Sequence, residues 1–306
     1  MENIETMDKK RVVNASEVIA LATDGSAYTD GAVQEAVFLA QSCGGKIVVL
    51  NVIPIDSGSA TAVHASAAAM RKESKEYIDQ IKKIADDHDI PCESIVEESY
   101  QPDKTIVELA YKEQADVLIM GRHGKQGLLK LLVGSMTSKV IGHGFPKVLV
   151  VPKDFTSGGE SALLAVDGSE ASQAAADEII GMGLHCRNIK EVYALSVTRS
   201  ENDLKEAEAL AEAVCTRGKE LAPQISFHPL ARFGRPAADI IARAAEEKQV
   251  DMILIGGHGK GLTKLLMGHV TEKVIGKAHC AVLVIEKKQY QKEREEVLDT
   301  SENKEA

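Results

Sequence analysis

Short apolar runs recur along the chain, each closed by glycine, proline or aspartate, and amphipathic stretches separate them. Residues 18–23 (VIALAT) are apolar and partly β-branched and end in Asp-Gly, which predicts a buried strand. From 30 to 43, Val33, Ala36, Val37 and Ala40 fall on one helical face. KIVVLNVIP predicts a second strand that stops at Pro54, a helix follows from about 63 to 88, and SIVEE around Ser94 predicts a third strand. Pro102 and Asp103 open a helix carrying Ile106, Val107, Leu109 and Ala110, since proline suits a first helical turn. DVLIM predicts strand four, residues 135–141 a helix, and KVLVV strand five.

The same series then runs a second time through LLAVD, EVYALSV, ISFHP, a helix from Pro236, MILIG and AVLVI. VIALATDGSAYTDGAVQEA matches ALLAVDGSEASQAAADEI, and the stretch ending in KVLVVP matches the one ending in AVLVIE. A period this long marks a duplicated domain. The division is 1–15 as an N-terminal extension, 16–153 as repeat 1, 154–160 (DFTSGGE) as linker, 161–287 as repeat 2 and 288–306 as a charged tail. Runs such as VLIM and VLVV lack alternation, as strands covered on both faces do. Each repeat is therefore read as a doubly wound α/β domain: a five-stranded parallel sheet with helices on both faces.

Length agrees, since 306 residues suit two domains. No apolar run approaches ~18 residues, so no membrane span is expected, and the first residues lack the apolar core of a secretory signal. Thirty-six Lys+Arg against 46 Asp+Glu, with 4% aromatics and no tryptophan, argues against nucleic-acid binding. The five cysteines (Cys43, Cys92, Cys186, Cys215, Cys280) form no C-x-x-C pair, which argues against a disulfide framework or a Cys-rich zinc site and for a reducing cytoplasm.

In a doubly wound fold ligands bind past the carboxyl ends of the strands, where strand order reverses. Three features converge there: Asp24-Gly25-Ser26 and Asp167-Gly168-Ser169 after the first strand, Val52 and Val197 near the end of the second, and a glycine-rich stretch after the fourth. In repeat 1 that stretch holds Gly121, Gly124 and Gly134, then Ser135 and a helix. A helix start offers unpaired N–H groups and a positive dipole end, which favour phosphate; Ser135 adds a hydroxyl donor or caps the helix. Arg122, His123, Lys125 and Lys130 supply cationic or donor groups in the same loop. The first strand lacks G-x-G-x-x-G, and no P-loop motif occurs. The remaining histidines stand without partners at metal-ligand spacing, so His143, His185 and His279 read as structural.

At these residues the chain resembles the universal stress protein family in its tandem form. Gly121, two residues, Gly124, nine residues, Gly134 and Ser135 match the G-x2-G-x9-G-[ST] pattern of the family's nucleotide-binding members. The resemblance implies a Rossmann-like fold of the adenine nucleotide alpha hydrolase type and an ATP site, or one for AMP or ADP, in repeat 1. Asp24 would lie by the ribose and phosphates, and would be the residue to hold Mg2+. Val52 would meet the adenine edge, Gly121 and Gly124 would line the ribose and phosphate path, and Gly134, Ser135 and Met136 would hold the phosphates. It further implies pairing of last strands, met here within one chain as a pseudo-dimer, with a homodimer as a further option, and a role as a stress-response sensor or regulator.

Repeat 2 departs from the pattern. Gly256 and Gly259 are present, but eight residues precede Gly268, and His269 replaces the Ser/Thr. With Asp167 and Val197 these residues form a second candidate site that binds nucleotide weakly, takes another ligand or serves only in packing. No base, nucleophile or transition-state clamp is identified, so slow ATP hydrolysis at most is expected. Two rival readings stand beside ATP sensing: a nucleotide-independent scaffold of the same fold, and an adenylyl-transferring enzyme, the latter weakened by the lack of a Ser-Gly-Gly-x-Asp-Ser loop.

Overall fold

The computed structural model describes residues 18–55, 60–123, 133–156, 158–185, 189–258 and 267–286. Gly124, Gly259, Lys125, Lys130, Cys186, the extension and the tail lie outside the described residues. The described residues gather into two compact units: one takes 18–123 and 151–156, the other 133–150 and 158–286.

In the first unit, β1 (Val18–Ala22), α1 (Asp30–Cys43), β2 (Lys46–Pro54), α2 (Ala60–Asp86), β3 (Cys92–Ser99), α3 (Pro102–Lys112) and β4 (Val117–Gly121) alternate. The strands lie in the order β3-β2-β1-β4. All three pairs are parallel, with Ala22 opposite Leu50 on one side and Met120 on the other. Ile19, Ala20 and Leu21 have no exposed surface, as expected of a strand flanked by strands and covered by helices. Val33, Ala36, Val37 and Ala40 of α1 are buried together, as are Ile106, Val107, Leu109 and Ala110 of α3.

The second unit holds α4 (Ser135–Gly142), β5 (Lys147–Val151, of which Val151 clusters with the first unit), β6 (Ser161–Val166), α5 (Glu170–His185), β7 (Glu191–Thr198), α6 (Leu204–Leu221), β8 (Ser226–Phe233), α7 (Ala237–Glu247), β9 (Met252–Gly256), α8 (His269–Lys277) and β10 (Ala281–Ile285). Its order is β5-β10-β9-β6-β7-β8. The pairs from β10 to β8 are parallel. β5 and β10, the final strands of the two repeats, pair antiparallel with Val150 opposite Val282, so neither leaves that edge bare. Lys147 on β5 meets Glu178 of α5 at 2.7 Å in a half-buried ion pair.

Two extents differ from the sequence reading. β3 and β8 run longer than their apolar letters suggest, because eight consecutive residues of each keep register with the neighbouring strand. Single 3-10 turns at Ala27–Thr29 and Glu201–Asp203 precede helices where no periodicity announces them.

An aspartate before the fourth strand ties down the start of the first in both units. Asp116 Oδ2 accepts from the Val18 amide at 2.9 Å. Asp251 does more: it accepts from the amides of Gly158 (2.8 Å), Glu160 (3.0 Å) and Ser161 (3.0 Å) and from the Ser161 hydroxyl (3.1 Å). Burial pushes the Asp251 carboxyl up, but these donors outweigh it and hold the group below its ordinary value. A depressed carboxylate contributes stability above its unfolded pKa that is lost as pH falls through the folded one. Asp251→Ala is therefore expected to cost about 1–3 kcal/mol at pH 7. The difference from the parent protein should shrink below about pH 4, where the unfolded carboxyl begins to protonate; urea denaturation at both pH values measures it.

Candidate functional site

Strand order reverses at β1, which has β2 on one side and β4 on the other. Just beyond β1 the chain makes a tight turn. The Thr23 amide still donates to Leu50 O at 3.0 Å, after which Asp24 Oδ1 accepts from the Ser26 amide (3.1 Å) and hydroxyl (2.5 Å). This is an aspartate turn, and Gly25 at φ 75° supplies its left-handed residue. Gly25 also lets α2 close on the turn, since a Cβ there would lie 2.6 Å from Ser74 Oγ and 2.8 Å from Ser74 Cα.

Beneath the turn lies a hydroxyl cluster that sequence reasoning missed. Thr29 Oγ1 is 2.9 Å from Thr23 Oγ1, 2.8 Å from Ser26 O and 3.1 Å from Tyr77 Oη. Tyr77 in turn donates to Asp30 Oδ1 at 2.7 Å. Burial, foremost, and the neighbouring Asp30 raise the Tyr77 pKa, so the phenol stays protonated and serves as a donor. Asn51 on β2 donates to Thr23 O at 2.9 Å from a fully covered position. Asp24 itself is exposed, held by a buried polar base.

Gly121 ends β4 against this turn. A Cβ on it would lie 3.0 Å from Tyr28 O and 3.3 Å from both His123 O and Thr29 Cγ2. A side chain there would need these neighbours to give by a few tenths of an ångström, so packing favours glycine whatever else it does. After it, Arg122 donates its amide to Val151 O at 2.9 Å. Burial and, secondarily, the Arg122 charge hold the His123 imidazole below its ordinary value, so at neutral pH it is an uncharged donor or acceptor. Val52 is buried within β2.

Gly134, Ser135 and Met136 belong to the other compact unit, where Gly134 is the N-cap of α4. It is extended (φ −59°, ψ 143°) and offers no side-chain cap. The first turn of α4 therefore opens with amides that have no acceptor in the helix. Gly134 is half-buried and Ser135 exposed.

Repeat 2 shows the same parts with different fittings. Asp167 Oδ1 accepts from the Ser169 amide at 2.9 Å, and Ser169 Oγ caps α5 by accepting from Ser172 N at 3.2 Å. Gly256 ends β9 in the position of Gly121, and a Cβ on it would lie 2.7 Å from Ala171 Cβ and 2.9 Å from Ala171 C. Thr271 in the first turn of α8 donates to Gly256 O at 2.8 Å. Gly268 is buried, and its amide donates to Gly257 O at 2.8 Å. His269 is exposed beside it, and Val197 is half-buried on β7.

One further pair in repeat 2 was not read from sequence. His258 Nδ1 lies 2.6 Å from Glu286 Oε1, with side chains 13% and 14% exposed. Burial pushes the Glu286 carboxyl up, and His258 opposes that rise. The signal was in the aligned repeats: Glu286 follows the last strand where repeat 1 has Pro152.

Among the described residues no group of three or more His, Cys, Asp or Glu is gathered as a metal site, and no helix is long and apolar enough to cross a membrane. The parts define a duplicated doubly wound α/β protein whose polar groups collect beyond the carboxyl ends of its strands. A family model for universal stress proteins matches residues 16–152 and again 160–286. The chain belongs to the universal stress protein family.

A universal stress protein of Mycolicibacterium smegmatis is 25% identical over 289 residues, spanning 87% of this chain and 96% of its own. The universal stress protein MJ0531 of Methanocaldococcus jannaschii is 28% identical over 144 residues, 46% of this chain and 84% of its own. Among solved structures, a universal stress protein from Archaeoglobus fulgidus superposes with a TM-score of 0.69 at 20% identity, covering 89% of this chain and 99% of that one.

The crowding at Gly256 gives a test of what the strand-end glycines are for. Gly256→Ala should lower stability by about 1–3 kcal/mol in nucleotide-free protein, because backbone as well as side chain must yield. Thermal melting without ligand reads this; a glycine needed only to admit a ligand would leave the melt unchanged.

Proposed function

We propose that this universal stress protein binds ATP, or a related adenine nucleotide, through its N-terminal repeat and acts in the cytoplasm as a nucleotide-linked stress sensor or regulator. The observation that carries the reading is Gly134 as a bare N-cap at the end of the complete Gly121–Gly124–Gly134–Ser135 spacing. A helix start without its own cap leaves amides and a positive dipole end for an anion. The exposed Ser135 hydroxyl can join those amides on a phosphate.

Asp24 has a role that follows from its setting. Its Oδ1 is engaged by Ser26, and the residue stands exposed above the hydrogen-bonded Thr23–Thr29–Tyr77 cluster. A single carboxylate fits Mg2+ only when nucleotide phosphates and water supply the remaining oxygens, which is an ordinary way for that ion to be held. Magnesium would then neutralise phosphate charge. Val52 on β2 is assigned to the adenine edge and Gly121 and Gly124 to the ribose and phosphate path, as the resemblance to the family implies. No residue described above is placed as a general base or as a water-orienting group, so the reading is binding rather than turnover.

Gly134→Asp is the discriminating variant. Aspartate is a good N-cap, so the helix should still form. Its charge would sit where phosphate is to bind, and like-charge juxtaposition costs several kcal/mol. Calorimetric titration of ATP onto the full chain should show a loss of affinity of about 100-fold or more for Gly134→Asp. Gly268→Asp should leave the N-terminal site unchanged. Equal binding by the parent protein and Gly134→Asp would remove repeat 1 as the site.

A further inference from the structure

The two repeats place opposite charges beside the end of the fourth strand, from residues that are not equivalent in sequence. In repeat 1 the residue after the fourth strand's closing glycine is Arg122, whose amide donates to Val151 O at 2.9 Å. In repeat 2 that residue is Gly257, whose amide makes the matching bond to Ile285 O at 3.0 Å. The backbones correspond; the side chains do not. A Cβ on Gly257 would overlap Glu286 Oε1, so the glutamate fills the place where repeat 1 carries the stem of an arginine.

Glu286 is held there. Its amide donates to Pro146 O at 2.9 Å, and its carboxylate meets His258 Nδ1 at 2.6 Å. Pro152, its counterpart in repeat 1, has no charge to offer. The same Gly257 accepts the Gly268 amide through its carbonyl. The carboxylate is therefore one residue's width from the start of α8, and one amide at that helix start is already spent internally.

We infer that Glu286 is a specificity-determining residue that denies polyphosphates to the second repeat, so that the tandem chain takes up one nucleotide rather than two. The inference rests on the nucleotide reading of the fold's crevice. The carboxylate acts as a resident anion: it pairs with the imidazole of His258 and repels a phosphate approaching the start of α8. Replacing it by an uncharged isostere keeps the side-chain shape while removing the charge.

Equilibrium dialysis of the full chain with labelled ATP, and separately with labelled adenosine, tests this with Glu286→Gln and Glu286→Ala. The parent protein should bind one ATP. Both variants should bind a second, with affinity at that site raised about tenfold or more by removal of the like charge. Adenosine, which has no phosphate, should bind parent and variants alike. Unchanged ATP stoichiometry in a variant that melts as the parent does would overturn the inference, as would an equal gain for adenosine, which would point to shape instead of charge. If the parent binds no ATP, the N-terminal reading fails by itself. A rise from none to one in Glu286→Gln would still support the role of Glu286.

Discussion

Everything at the functional edge depends on β1 and β6 being hydrogen-bonded on both sides by parallel neighbours. β1 runs between β2 and β4, and β6 between β7 and β9. Within each repeat, parallel pairing sends the carboxyl ends of these strands to the same edge. Residues such as Ile19, Ala20, Leu21, Leu163 and Leu164 are fully covered, so these two central strands are almost wholly apolar. Polar chemistry is displaced to the strand ends. Asp24 and Asp167 stand just past β1 and β6, and Gly121 and Gly256 close β4 and β9 beside them.

Much of this was legible beforehand. The apolar runs give β1, β2, β4, β5 and their repeats nearly to the residue, since a strand covered on both faces must be continuously apolar. The two faces of α1 and α3 follow from spacing alone. The edge strands were less clear. CESIVEES and SFHPLARF are only partly buried, so their extent is set by backbone pairing with β2 and β7, which leaves little trace in side-chain polarity. The 3-10 turn over Ala27–Thr29 is likewise set by the Asp24 turn and by Thr29 reaching back to Ser26, not by any periodicity.

The candidate site was legible as positions but not as contacts. Asp24 and its glycine were visible as a turn. The cluster joining Thr23, Thr29 and Tyr77 was not, because Tyr77 arrives from a helix forty-eight residues beyond Thr29 and no short-range pattern links them. The same holds for His258 and Glu286, which meet only because β9 and β10 are neighbours in the sheet. Long-range polar pairs of this kind depend on topology, and topology enters a sequence reading only after the strands have been ordered.

The comparison between repeats also bears on how glycine motifs are to be weighed. Gly121 and Gly256 are both fixed by crowding from the turn and helix that follow the first strand of their repeat. Such a glycine is favoured by packing in a copy that binds a ligand and equally in one that does not. Gly25 and Gly168, both at positive φ, are in the same position. What distinguishes the copies lies in groups the fold leaves free to vary: a half-buried cap at Gly134 against a buried one at Gly268, and Arg122 against the Glu286 carboxylate. In a duplicated scaffold, conservation of the glycines between the copies therefore speaks for shared packing. The charge lining the turn is the more informative guide to which copy accepts a phosphate.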